Sequence, residues 1–277
     1  MQKLQWPLIF SLIVFSLFLL TGCSTVSETQ SSGNSEYLNT AEKNYLEGEK
    51  AKDAKNYEEA VNYFEYVKNQ YPYSKFAALA DLAIAETYMD SEQWLQAAES
   101  FKFFVQFHPK HPKVAWATFQ IAKAYTEAIP KDYPIMPKSY EKDQGATLSA
   151  IIAWDRFLRR YPNDKNVKEA KSLRQQARSL LTEQEWAIAS FYEHKKRFQG
   201  AVWRYETIFN NYPETPKAPE AIAKAISIYQ NELKKPEKVK ALKEHLKTKH
   251  PESPQALQLM APKQDSKAPS VPAQDPQ

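Results

Sequence analysis

The sequence predicts an all-α chain: antiparallel helix pairs stacked in a row, about five helix–turn–helix repeats with an insertion in the third. Three observations predict it. Five pairs of an aromatic residue or histidine with a following proline, Tyr71-Pro72, His108-Pro109, Tyr161-Pro162, Tyr212-Pro213 and His250-Pro251, share one register of residues upstream. Twelve residues before four of these prolines stands an alanine (Ala60, Ala97, Ala150, Ala201), and eight before stands an aromatic (Phe64, Phe101, Trp154, Tyr205). Only 5 of 277 residues are glycine, whereas β-rich chains and phosphate-loop folds need glycine at their turns.

Alanine and aromatic lie four apart, one turn of a helix and on one face. The small side chain lets two helices approach closely, and the ring fills the gap to the next pair. Five residues before each proline comes a further apolar residue, Val67, Phe104, Phe157, Ile208 or Leu246. The proline then ends the second helix and fixes the turn into the next pair. First helices repeat the theme with Gly48 and Ala51, Ala85 and Tyr88, Ala122 and Tyr125, and Ala189 and Tyr192. This register resembles the tetratricopeptide repeat, a helix pair of about 34 residues. Repeat three is interrupted between Thr126 and Thr147, where Pro130, Pro134 and Pro137 oppose helix. Val167 to Tyr192 reads as one long helix. Repeat five has Val239 and Lys243 where alanine and aromatic are expected, as suits a terminal cap.

Outside the repeats the chain divides by composition. Residues 1–22 have Lys3 followed by an apolar run from Leu8 to Leu20, too short for a membrane span but right for a signal peptide. Leu20-Thr21-Gly22-Cys23 resembles the lipobox of bacterial lipoproteins, which implies cleavage before Cys23 and its lipidation. Ser24 follows rather than aspartate, a pattern that implies transfer to the outer membrane. Residues 23–36, rich in Ser and Thr, read as a lipidated flexible tether. Residues 252–277 carry five prolines and read as a disordered Pro-rich tail without helix. Between them lie the N-terminal repeats 1–3 (37–165) and the C-terminal repeats 4–5 (166–251).

Lipobox, tether, repeats and interruption together resemble the BamD family, outer-membrane lipoproteins of the β-barrel assembly machinery. Three stretches carry the resemblance: Asn56 to Ser74; Tyr140 to Thr147 with the helix ending at Tyr161-Pro162; and Ile188 to Pro216. One departure is the turn His194-Lys195-Lys196-Arg197, which lacks the glycine the family leads one to expect. The resemblance implies a scaffold on the periplasmic face of the outer membrane, lipid-anchored. It would bind the periplasmic domains of BamA, accessory Bam lipoproteins and unfolded β-barrel outer-membrane proteins. The N-terminal half is then the client-binding half and the C-terminal half the complex-scaffold half.

In this repeat class first helices line the concave face, so Tyr45, Leu79, Leu82, Met89, Trp116 and Phe119 are expected to form an apolar peptide-binding groove. Glu49, Lys52, Glu86 and Lys123 would flank it. The alternative is that these side chains pack only against neighbouring helices. For the other half, Arg197, Arg204 and Glu206 are expected at a subunit interface, against the alternative of a solvated helix face.

Enzyme chemistry finds no foothold in the residues. No Gly-rich phosphate loop, nucleophile elbow or zinc-protease motif occurs, and the single cysteine is spoken for by lipid. Prolines explain the His108 to His111 segment better than a metal does, so no metal and no cofactor is expected. Basic residues are scattered without a nucleic-acid stripe, so nucleic acid is not expected as a partner. The competing function is a repeat lipoprotein that organises cell-division or peptidoglycan factors.

Overall fold

The computed structural model describes residues 39–260. The lipidation site Cys23, the signal peptide, the tether and the tail beyond Met260 lie outside the described residues. Eleven α-helices and one 3-10 turn make up the described chain. They pair as α1 (Ala41–Asp53) with α2 (Tyr57–Gln70), α3 (Lys75–Asp90) with α4 (Trp94–Phe107), and α5 (Val114–Glu127) with α6 (Gly145–Arg160). Then come α7 (Val167–His194) with α8 (Phe198–Asn211) and α9 (Lys217–Asn231) with α10 (Pro236–Lys249). A last short helix, α11 (Pro254–Met260), closes the series. The link from α5 to α6 runs through residues 128–144, with the 3-10 turn at Ser139–Glu141.

Each second helix ends the same way. Tyr71, His108, Tyr161, Tyr212 and His250 have φ between −121 and −134° and ψ between 49 and 60°. The following proline's ring excludes helical geometry from the residue before it. That residue's N–H still donates to the carbonyl four back, and its own carbonyl accepts from the residue three ahead, as in Ser74 to Tyr71 (3.0 Å) and Ser253 to His250 (3.0 Å). Five copies of one turn thus launch five first helices in one direction.

The fifth launch corrects the expected tail. Residues 254–260 are helical although 252–277 was expected to lack helix, because Pro254 stands at the helix start, where no intrahelical donor is needed. Ala256 is fully buried in the C-terminal core, so α11 serves as the first helix of an incomplete sixth pair.

The predicted small-and-large pattern is the core itself. Ala60, Ala97, Ala150 and Ala201 are fully buried, as are Phe64, Trp154, Tyr205, Val67, Phe104, Phe157, Ile208 and Leu246. Phe119 seals one joint with its edge against Trp154 (5.1 Å) and Phe157 (5.4 Å), while the Trp154 indole donates to Thr126 Oγ1 at 2.9 Å. One large apolar cluster joins repeats two and three and another joins repeats four and five. The long helix α7 serves both: Ala170 belongs to the first, Ala189 to the second, and Ala177 and Leu181 pack with Ile151 between them.

The intra-repeat turns reach the left-handed region without glycine. Lys55 (φ 63°), Glu92 (59°), Lys196 (56°) and Lys234 (53°) hold positive φ. The next N–H reaches back to close the helix end, as from Arg197 to the Tyr192 carbonyl at 2.8 Å. The glycine missing from residues 194–197 is therefore replaced by a strained lysine, and the turn keeps its shape.

Candidate functional site

First helices touch their counterparts in the next repeat at α1–α3, α5–α7, α7–α9 and α9–α11, and among the described residues no two second helices make comparable contact. The stack therefore curves with first helices inside. Their register relative to the pinch residues Gly48, Ala85 and Ala122 decides which side chains look into that curve.

Two of the expected groove residues do not. Leu82 and Phe119 stand three before Ala85 and Ala122, on the same face as those alanines, and are only 2% and 5% exposed. They close helix joints; neither is available to line an open groove. Tyr45, equivalent in register, is half-buried between the rings of Phe64 (5.4 Å) and Phe76 (5.6 Å). Burial, and then the nearby Glu49 and Glu86 carboxylates, raise its phenol well above the ordinary value. Leu79 and Trp116 stand six before the pinch residues, a further turn outward, and both remain partly exposed. Trp116 rests edge-on against Phe101 at 5.6 Å, and Met89 packs at the border of the same core.

The flanking charges connect across repeats. Lys52 Nζ pairs with Glu49 on its own helix (3.3 Å) and with Glu86 on α3 (3.7 Å). Glu86 in turn pairs with Lys113 at the start of α5 (3.8 Å), and that ammonium lies 5.5 Å from the Trp116 ring centre. A row Tyr45–Glu49–Lys52–Glu86–Lys113–Trp116 thus crosses the first helices of three repeats. Lys113 escaped the sequence reading because it precedes α5 and so falls outside any helical period; its spacing of three from Trp116 was the available signal. Lys123 makes no ion pair among the described residues. Alternating charge beside partly exposed rings suits an extended peptide, whose backbone and side chains need polar contacts and apolar cover together.

The other expected site is divided. Arg204 Nη1 pairs with Glu185 on α7 at 3.1 Å, with its side chain 41% exposed. Glu206 accepts from the Tyr229 hydroxyl at 2.9 Å across to α9; burial and that bond push the phenol up to about 12. Arg197 is exposed at the turn before α8. Arg204 and Glu206 therefore already clamp α8 to its two neighbours, and the three residues form no single cluster. The Tyr205 hydroxyl, donating to Glu193 at 2.8 Å, and the Lys224–Glu193 pair at 3.1 Å add to these clamps. Exposed apolar rings lie elsewhere: Trp203 and Phe191 in this half, and Phe103 stacked 4.1 Å from Phe107 on α4. Among the described residues no group of three His, Cys, Asp or Glu side chains is placed to hold a metal. No described helix is long and apolar enough to cross a membrane.

The family profile described as "YfiO: Outer membrane lipoprotein" matches residues 38–246, from the first helix nearly to the end of α10. The chain belongs to the YfiO family. Among its relatives, "Outer membrane protein assembly factor BamD" of Neisseria meningitidis serogroup A is 24% identical, covering 88% of this chain and 92% of that one. The protein of the same name from Caulobacter vibrioides is 26% identical over 67% of this chain, which spans 58% of that relative's length. Among solved structures, the TPR2AB domain of yeast Sti1 in an Hsp90 complex shares 13% identity, covering 78% of this chain and 80% of that chain, with a TM-score of 0.39. The YfiO match covers four helix pairs in full and the fifth to within three residues of its end, so it includes both halves of the stack.

Proposed function

We propose that this YfiO-family chain is a scaffold for assembling β-barrel outer-membrane proteins, lipid-anchored through Cys23 on the periplasmic face of the outer membrane. Its relatives in Neisseria and Caulobacter carry the name of outer-membrane protein assembly factor. The observation that carries the reading here is the row from Tyr45 to Trp116 across three first helices. That row offers unfolded clients a face of alternating charge and ring. The C-terminal pairs, braced by Arg204–Glu185 and Tyr229–Glu206, form a stiff body for holding BamA and accessory lipoproteins. The scaffold works by positioning rather than by catalysis.

Two experiments test this. Pull-down of the chain from gently solubilised membranes should recover an integral β-barrel subunit. Recovery of cell-wall or division enzymes without such a subunit would reject the scaffold reading for the competing one. Cys23→Ala should abolish incorporation of labelled fatty acid, and continued labelling would reject the anchor.

A further inference from the structure

The corner between α9 and α10 concentrates positive charge that the scaffold reading leaves unused. Residues 234–249 contain seven lysines and two glutamates. A cavity of about 700 Å³ opens there, lined by Lys234, Lys235, Lys240, Lys243 and Lys247 with one acid, Glu244. Lys240, Lys243 and Lys247 share one face of α10, where like charges three and four apart repel. Among the described residues none of the five lysines pairs with a carboxylate. Lys235 is held at the rim by donating to Gln199 Oε1 (3.3 Å), beside the Tyr229 ring. The start of α10 at Pro236 adds the positive end of a helix dipole to the same cavity.

A polyanion is the occupant that relieves this repulsion. Its chemistry follows from the lining. Among the described residues the lining holds five lysines and no arginine, and lysine binds phosphate as a point charge. Tyr229, Val239 and the lysine stems supply apolar cover beneath the charges. A family of outer-membrane lipoproteins works beside a phospholipid leaflet. Next to this corner α11, packed on both α9 and α10, exposes Leu257 and Met260, as interfacial segments do. We propose that this lysine-lined corner is a membrane contact separate from the N-terminal anchor. Its cavity takes headgroup phosphates of anionic phospholipid and turns the C-terminal end of the stack toward the leaflet. The inference is independent of client binding, since the pull-down above can fail while this contact holds.

The test is amine acylation of the full chain reconstituted with vesicles, read lysine by lysine by mass spectrometry. Phosphatidylglycerol vesicles should slow labelling of Lys234, Lys235, Lys240, Lys243 and Lys247 about tenfold relative to phosphatidylcholine vesicles. Labelling of Lys55 and Lys196, on turns remote in sequence, should not change. Equal rates in the two lipids would overturn the proposal. So would equal protection by inorganic phosphate, which indicates a soluble-anion site, or by polyglutamate, which indicates a surface for acidic protein. Lys240→Gln/Lys243→Gln/Lys247→Gln keeps good helix formers and should keep the circular dichroism spectrum. In that variant Lys234 and Lys235 should lose their protection, and retained protection would also overturn the proposal.

Discussion

Replacing Gly48 by alanine sets two effects of opposite sign against each other. In an exposed helix the change gains about 0.8–1.0 kcal/mol of propensity. Here an added Cβ would stand 2.6 Å from Phe64 Cε1 and 2.9 Å from Cδ1 and Cζ, distances no real methyl keeps. The ring cannot swing aside, because Phe64 is fully buried and Tyr45 packs against it at 5.4 Å. Forcing a methyl into such a core costs about 1–3 kcal/mol, so the net change is a loss of roughly 1 kcal/mol. Urea unfolding followed by circular dichroism reads it directly. Combining Gly48→Ala with Phe64→Leu should recover part of the loss, as residues in contact couple. A midpoint that rises in the single variant would show that helix pairs do not touch at this position, and would refute the pinch-and-ring account of repeat one.

Two further outcomes follow from the turns. Lys196→Gly should raise stability by about 0.5–1 kcal/mol, because glycine adopts positive φ without the clash lysine suffers there; an unfolding midpoint that falls would contradict the strain argument. Burial, and then the neighbouring His245, hold the His250 imidazole below its ordinary value, so the fold favours the neutral ring. The unfolded chain takes up that proton first. Stability from this ring is therefore present above about pH 6.5 and lost as pH falls through that value toward the lower folded one. His250→Gln should flatten the decline of the urea midpoint between pH 7 and pH 5, and an unchanged slope would remove His250 as its source.

Much of the fold was legible because three residue types do one mechanical job each time. Ala60 and its counterparts vanish into helix contacts, Phe64 and its counterparts fill the joints, and Pro72 and its counterparts end helices. The same register held more than was taken from it. Leu82 and Phe119 lie three residues from Ala85 and Ala122, and this alone places them in the helix joints rather than the groove. What stayed hidden depends on tertiary neighbours. No period announces that Arg204 will meet Glu185 or Glu206 meet Tyr229, since each partner comes from another helix. The tail helix at Pro254 was hidden because proline reads as a breaker until its place at a helix start is known. The lysine-lined corner was overlooked because chain-wide charge balance conceals a local excess that α9 and α10 fold around one cavity. Lysine at position 196 shows the limit of residue preference: a turn set by two packed helices outweighs a cost of about 1–2 kcal/mol.

The central claim, that the inner face of the first helices receives clients, is tested most directly by a photocrosslinking amino acid placed in living cells. At positions 79 and 116, both partly exposed and equivalent in register, crosslinks to newly made β-barrel outer-membrane proteins are expected. At position 103, exposed on the second helix α4, they are not. Client adducts from 103 with none from 79 or 116 would contradict the account.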